Sequence, residues 1–547
     1  MSLPLIFLAL FYFYPLTAIL GLSFARQDGT GLAAFRDLFS SSYYLKVIWF
    51  TLWQAAASTV LTVILALPGA YVFARYDFPG KPLIQALTTV PFVLPTMVVA
   101  LAFTAVFGSR GWLNLGLMGL FGVDVSLDLQ YTLAAIFIAH IFYNYTVVLR
   151  IVGNYWSNLD VRLDEAARML GASRWRAFRE VTLPLLWPAV WAAALLVFIF
   201  CFTSFGVILV LGGPRFATIE VEIYRQTVHF LNLPAAAALS MLQILFTFLL
   251  MAVYTRLQVR VSRPLELRSR QATQRRPRTW QEWLIVVTSV GLMLVLLVAP
   301  LLALVARSMT PDGSTSLASY RQLFTNPRGS AFYVPPVAAV RNSITYALAT
   351  VALSVVLGLI AAIIFDVRDD KLQPVRRLLD PLFMLPMGTS AVTLGLGYIV
   401  ALDEPPLDLR MSPLLVVLAH TLVALPFLVR SVLPAMRAIS PRLREAAALL
   451  GASPWRVWRE VDLPIIARAV LVGAVFAFTI SMGEFGATSL IARPERPTMP
   501  VAIYRFLSRP GASNYGQALA MSTLLMIVCV LCFLIIERFR IGQAQEF

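Results

Sequence analysis

Apolar residues in this chain do not alternate with polar ones; they come in long unbroken runs. Stretches long enough to cross a hydrocarbon core of about 30 Å as helices lie at about 3–24, 47–74, 83–107, 131–152, 185–211 and 236–256. A second series follows at about 283–306, 339–365, 378–400, 413–434, 465–491 and 517–536, so twelve spans in two sets of six are predicted. The fold class is therefore an all-α polytopic membrane protein.

The polar stretches set the orientation. Between the two sets lie Arg256, Arg260, Arg263, Arg268, Arg270, Arg275, Arg276 and Arg278, and an excess of basic residues marks the cytoplasmic side. With an even number of spans per set, both termini fall on that side, as do segments 75–82 and 366–377. The division is a first transmembrane domain at 1–256, a basic linker at 257–281 and a second transmembrane domain at 282–547. On the outer side the bias is weaker, because Arg493, Arg496, Arg505 and Arg509 cluster there. Leu3 to Phe24 has neither a basic start nor a small-residue cleavage pattern, so it reads as a span and not as a signal peptide.

Composition agrees with this picture: of 547 residues 59% are hydrophobic and 13% charged. The net charge of +16 is spread thinly between apolar runs; it follows the topology rule and forms no basic, aromatic groove for nucleic acid. Gly80-Lys81 is followed by Pro82 and lacks the earlier glycine of a phosphate loop, so ATP is not expected on this chain. Cys201, Cys529 and Cys532 lie within apolar runs, and His140, His229 and His420 are far apart in sequence. No catalytic residue, metal or cofactor is expected here.

One polar stretch occurs twice. Leu163-Asp164-Glu165-Ala166-Ala167-Arg168-Met169-Leu170-Gly171-Ala172-Ser173 continues to Leu183-Pro184, and 280 residues later Leu443-Arg444-Glu445-Ala446-Ala447-Ala448-Leu449-Leu450-Gly451-Ala452-Ser453 continues to Leu463-Pro464. Each copy reads as two short helices around a glycine, with Asp160 and Ser440 as N-caps and Glu165 and Glu445 near the positive end of the dipole. Ser173 or Ser453 restarts a helix whose Trp175, Phe178 and Val181, or Trp455, Trp458 and Val461, recur every third residue beside arginines. Such a stripe suits the headgroup region. The repeat extends further: His140 matches His420, Arg150 matches Arg430 and Phe205-Gly206 matches Phe485-Gly486 at the same spacing. At a spacing of 291, Phe92-Val93-Leu94-Pro95 matches Phe383-Met384-Leu385-Pro386. The two halves read as one ancestral unit, related by an axis along the membrane normal.

The twin pattern of Glu-Ala-Ala, three residues, Gly, nine residues, an aliphatic, one residue and Leu-Pro resembles the EAA loop of ABC importer permeases. That resemblance implies two fused type I importer transmembrane domains in a bacterial inner membrane. It also implies that Glu165, Ala166, Ala167, Gly171, Leu183 and Pro184, with Glu445, Ala446, Ala447, Gly451, Leu463 and Pro464, couple to two copies of a separate ATPase subunit carrying ATP and Mg. An extracytoplasmic solute-binding protein would deliver the substrate. Among fused permeases, Cys201-Phe202-Thr203-Ser204-Phe205, Ala217-Thr218-Ile219-Glu220 and Gly483-Glu484-Phe485-Gly486 resemble those for thiamine or ferric iron. A secondary transporter with two six-span repeats is the rival; it would be expected to carry several coupling carboxylates and gives no reason for the twin loops.

Polar groups within spans mark the substrate path. Glu484 is the sharpest, some nineteen residues or ~28 Å along its helix, with Ser204 as its counterpart; a carboxylate there could meet a cation or serve structure. His140, Asn144 and His420 read as helix contacts on the same path.

Overall fold

The computed structural model describes residues 2–24, 33–108, 111–122, 129–261, 274–310, 316–325, 334–366, 379, 382–403, 405 and 407–541. Among them eleven helices are long and apolar enough to cross a membrane, or twelve if the bent pair Leu382–Gly388 and Ala391–Ala401 is one span. No strand is present among the described residues; one isolated bridge joins Tyr76 and Arg275.

The two sets of six exchange their first spans. The first span, Leu3–Ser23, lies on the second set: Phe7, Leu8 and Tyr12 share a core with Tyr346, Tyr398 and Leu422, and the Tyr12 hydroxyl meets Thr389 Oγ1 at 2.7 Å. Conversely the seventh span, Trp280–Met309, sends Val286, Met293 and Leu297 into the core of the first set. Each exchange buries apolar surface that a lone set would leave without a protein partner.

Two pairs of predicted spans are broken, at matching places. Run 83–107 divides into helices Lys81–Val93 and Thr96–Phe107, because the residue before Pro95 is driven out of the α region; Leu94 has ψ 140°. In the second set Pro386 sits in a short turn of 3₁₀ helix, Leu385–Gly388, and the chain bends by 107°. Ser390 Oγ then caps the next helix, accepting from the N–H groups of Val392 and Thr393 at 3.1 and 3.3 Å. Runs 185–211 and 465–491 break too. Their helices end at Phe202 and Gly483 and restart as Ile208–Gly212 and Thr488–Ile491. Hydropathy misses these breaks because the intervening residues, Glu484 apart, are themselves small or apolar.

The breaks converge between the two sets. A Cβ on Gly206 would lie 2.5 Å from Thr96 Oγ1, and one on Gly486 would lie 2.8 Å from Ala391 Cβ. The Phe-Gly pair repeated in both halves thus has a steric cause: the fifth and eleventh spans turn where the third and ninth restart, with no room for a side chain.

The linker differs from its predicted bounds. Residues 257–261 continue helix Leu233–Val261, and helix Trp280–Met309 begins before 282. Just before that helix, the N–H of Asp77 donates to the Arg275 carbonyl, and the N–H of Arg275 to the Arg75 carbonyl, each at 3.0 Å. The linker's far end is therefore tied to the first set. Arg263, Arg268 and Arg270 lie outside the described residues, as does 367–377 of the basic segment 366–377.

Candidate functional site

The twin loops have the same backbone. Helices Val161–Met169 and Pro441–Leu449 each end at a glycine in the left-handed region, Gly171 at φ 93° and Gly451 at φ 83°. The N–H of Ala172 donates to the Ala167 carbonyl at 3.1 Å and that of Ala452 to the Ala447 carbonyl at 3.0 Å. Gly171 and Gly451 donate to Arg168 and Ala448, each at 3.0 Å. This paired closure satisfies the last helical carbonyls and requires a residue at ease with positive φ. Nothing lies within 4 Å of a Cβ added to either glycine, so backbone conformation alone selects it.

Caps match the prediction at three of four positions. Asp160 accepts from the Arg162 N–H at 3.0 Å, and Ser173 and Ser453 accept from Arg176 and Arg456 at 3.2 and 3.4 Å. Ser440 makes no side-chain cap; Pro441 at the first helical position supplies the preset φ instead. Glu165 and Glu445 lie a turn into their helices, outside the first turn, and both are exposed.

The second helix of each loop is not free-standing. Arg174–Ala177 and Pro454–Val457 run through single π turns, Phe178–Thr182 and Trp458–Asp462, straight into the spans that open at Leu183-Pro184 and Leu463-Pro464. Leu183 donates to Phe178 and Leu463 to Trp458, five residues back. The following proline has no N–H to restore the ordinary four-residue step, so the Leu-Pro pair sets a wide turn where loop joins span.

Sequence reasoning overlooked the tips. Met169 and Leu170 are 88% and 90% exposed, and Leu449 and Leu450 are both 89% exposed. Two apolar residues before a turn glycine, fully presented by a polar loop, make an exposed apolar tip; the signal was their place just ahead of Gly171 and Gly451.

In the second half opposite charges clasp the loop to its second span. Arg444 donates to Asp462 at 2.8 Å and to Asp366, the last residue of helix Val337–Asp366, at 3.0 Å. Although partial burial works against the cation, these carboxylates hold the Arg444 guanidinium above its ordinary value. In the first half the charges at the corresponding positions are reversed, but Asp164 acts on Arg75, the last residue of helix Ser42–Arg75, only from beyond ion-pair distance, and Thr182 replaces the second acid.

At the far ends of the fifth and eleventh spans the predicted polar residues come together in two related centres. In the first half His140 bonds through Nδ1 to Ser58 at 2.8 Å and through Nε2 to Ser204 at 2.9 Å. Asn144 donates to the His140 carbonyl at 2.9 Å. In the second half His420 bonds through Nδ1 to Ser481 at 2.7 Å and through Nε2 to Thr488 at 3.0 Å, with Glu484 Oε2 at 3.3 Å. Glu484 is buried and extended, and accepts from the N–H groups of Ala487 and Thr488 at 2.7 and 3.0 Å and from the Thr488 hydroxyl. It therefore caps the restarting helix.

A further acid, Glu220, was quoted in the sequence only as part of a family-like stretch. Fully buried at the junction of the halves, it accepts from Gln243 and from Ser390 of the second half, both at 2.5 Å. Its partners lie 23 and 170 residues away, which no local pattern reveals. Among the described residues no group of three or more His, Cys, Asp or Glu could hold a metal ion.

With duplicated loops, exchanged spans and broken helices in view, comparison with known proteins is direct. The family described as "Binding-protein-dependent transport system inner membrane component" matches residues 58–263 and again 354–539. The chain belongs to this family. It is a multi-pass transport subunit of an inner membrane, and the two matches fall one in each half. It is similar to the "Thiamine transport system permease protein ThiP" of Brucella abortus (strain 2308), 29% identical over 92% of this chain and 90% of that protein. The protein of the same name from Escherichia coli (strain K12) is 26% identical over 96% of this chain and 93% of its own. A "Probable ABC transporter permease protein" of Sinorhizobium fredii is 27% identical over 98% and 95%.

Proposed function

We propose that this chain is the permease of an ATP-binding cassette importer for thiamine, with both transmembrane domains in one polypeptide. The observation that carries the reading is the pair of loops alike in backbone and exposure, each presenting an acid and an apolar tip. Two equal surfaces fit two copies of one ATPase subunit, which would carry ATP and Mg. Glu165 and Glu445 would bond basic residues of that subunit, and Met169, Leu170, Leu449 and Leu450 would fill its clefts. The loops and both termini would face the cytoplasm, and an extracytoplasmic binding protein would load the opposite side. Likeness to thiamine permeases along almost the whole chain supports the substrate.

The test is uptake of radiolabelled thiamine by vesicles containing this chain, its ATPase and its binding protein. Uptake should require ATP, and a protonophore should not abolish it. Uptake driven by an ion gradient without ATP would instead establish the secondary-transport reading.

A further inference from the structure

Four aromatic rings meet where the two halves face each other. Phe205 and Phe485, equivalent in the repeat, stack with centroids 5.5 Å apart and planes at 17°. Tyr224 and Tyr504, equivalent at the same spacing, flank them: Phe205 to Tyr224 and Phe485 to Tyr504 are each 5.4 Å at 56°. The two tyrosine rings are 6.4 Å apart, closing the quartet. Identical distances and angles on both sides place the stack on the relating axis. All four separations are within the range of attractive ring contacts.

Position and chemistry both bear on what this quartet does. A cavity of about 910 Å³, at the end of the molecule away from the twin loops, reaches the quartet at Tyr504. Behind Tyr504 the rings of Phe205, Phe485 and Tyr224 are buried. Buried carboxylates flank the stack: Glu484 is adjacent to Phe485, and Glu220 lies one helical turn before Tyr224. Arg225 and Arg307 line the cavity, but their guanidinium groups are turned onto the carbonyls of Gly213 and Thr310 at 3.0 and 3.3 Å. The phenylalanines sit beside Gly206 and Gly486 in broken helix, the kind of backbone that lines paths in transporters.

We propose that the Phe205, Phe485, Tyr224 and Tyr504 quartet is the closed constriction of the transport path, and that its ring faces pass a flat organic cation. This rests on the thiamine reading and adds the residues that recognise the thiazolium. A cation over an aromatic face is attracted by the ring quadrupole, whereas an anion is repelled by it. As the halves part, the cation replaces one ring of the stack with its own.

The complete importer in proteoliposomes tests this, read as radiolabelled thiamine moved per ATP hydrolysed. Phe205→Leu with Phe485→Leu keeps apolar bulk and removes the π faces, and should lower the ratio at least about tenfold. Phe205→Tyr with Phe485→Tyr should stay within about threefold of wild type, since it keeps the faces. Tyr504→Leu, at the partly exposed rim, should lower the ratio about threefold and decides the matter if the double variant does not fold. A wild-type ratio in either leucine variant overturns the proposal. If wild-type vesicles take up no thiamine, the substrate reading alone fails. Phe485→Trp then decides the quartet: saturable fluorescence quenching by 1-methylnicotinamide beyond that of wild type supports it, and no extra quenching overturns it.

Discussion

The twin loops agree in every backbone feature and in their pattern of exposure from 162 to 187 and from 442 to 467, yet the charges beneath them are reversed. In one, a loop acid faces an arginine at the end of the second span; in the other, a loop arginine faces two acids. The histidine centres repeat the lesson, since the same ring reaches Ser204 in one half and Glu484 in the other. Geometry, set by glycine, proline and caps, is shared across the repeat. Polarity is free to differ because an ion pair depends only on its two ends being complementary.

The largest effect should come from what the loops share. Glu165→Ala with Glu445→Ala would remove the two charge-assisted contacts proposed with the ATPase, each worth about 1.5–3 kcal/mol, so ATP-dependent uptake should fall at least about a hundredfold. The single variants sharpen the comparison: equal losses would mean that the loops engage the ATPase equally. Uptake and ATPase co-purification measured on all three variants give the answer, and full uptake in the double variant would refute the coupling assignment.

Reversal of one clasp comes next. Arg444→Asp sets three carboxylates together, and loss of the network should cost on the order of 1–3 kcal/mol, discounted for partial exposure; uptake should drop about tenfold. Combining it with Asp366→Arg and Asp462→Thr rebuilds the first half's polarity in the second. That triple variant should recover uptake to within about threefold of wild type if complementarity is what matters. Failure to recover would show that Arg444 has a task beyond the clasp.

Much of this was legible because it is local. The Schellman closure spans six residues, so Ala167, Gly171 and their counterparts announce it, and the Leu-Pro pair announces the joint with the span. Spans were legible as counts of apolar residues, and for that reason their breaks were not: Thr203-Ser204-Phe205-Gly206 and Leu94-Pro95 do not lower hydropathy enough to divide a run. Glu484 was legible as a costly intramembrane acid. Its partner His420 was not, being 64 residues away in sequence on another helix, and neither was its capping of a helix that the apolar run concealed. Arg75 and Asp164 gave no signal at all, since only folding brings them together.

The two histidine centres should differ moderately in strength. Glu484→Gln puts an amide N–H where a carboxylate oxygen accepts from the backbone, so one buried N–H loses its acceptor at a cost of about 1–3 kcal/mol. Ser204→Ala removes one neutral bond and should cost about 1 kcal/mol. Thermal unfolding of the detergent-solubilised protein ranks the two. A larger loss at Ser204 would reverse the capping argument. Normal stability with slowed uptake in Glu484→Gln would favour direct contact between the acid and the substrate.

The smallest effect should fall on what is most alike. Gly171→Ala and Gly451→Ala meet no neighbour, because nothing lies within 4 Å of the added Cβ in either loop. What remains is the intrinsic cost of an L residue in the left-handed region, about 1–2 kcal/mol, and it is paid at the same φ within ten degrees, 93° against 83°. The two variants should therefore lose nearly equal stability and, because each loop frays only at its own turn, the double variant should lose their sum. Hydrogen exchange at the Ala172 and Ala452 amides, which donate across each turn, reads the fraying directly and separately in the two loops. Equal loss of protection would show that the shared backbone is stabilised independently of the charge that clasps it. Markedly unequal loss would mean that the clasp reaches into the turn, and that the halves differ in geometry as well as polarity.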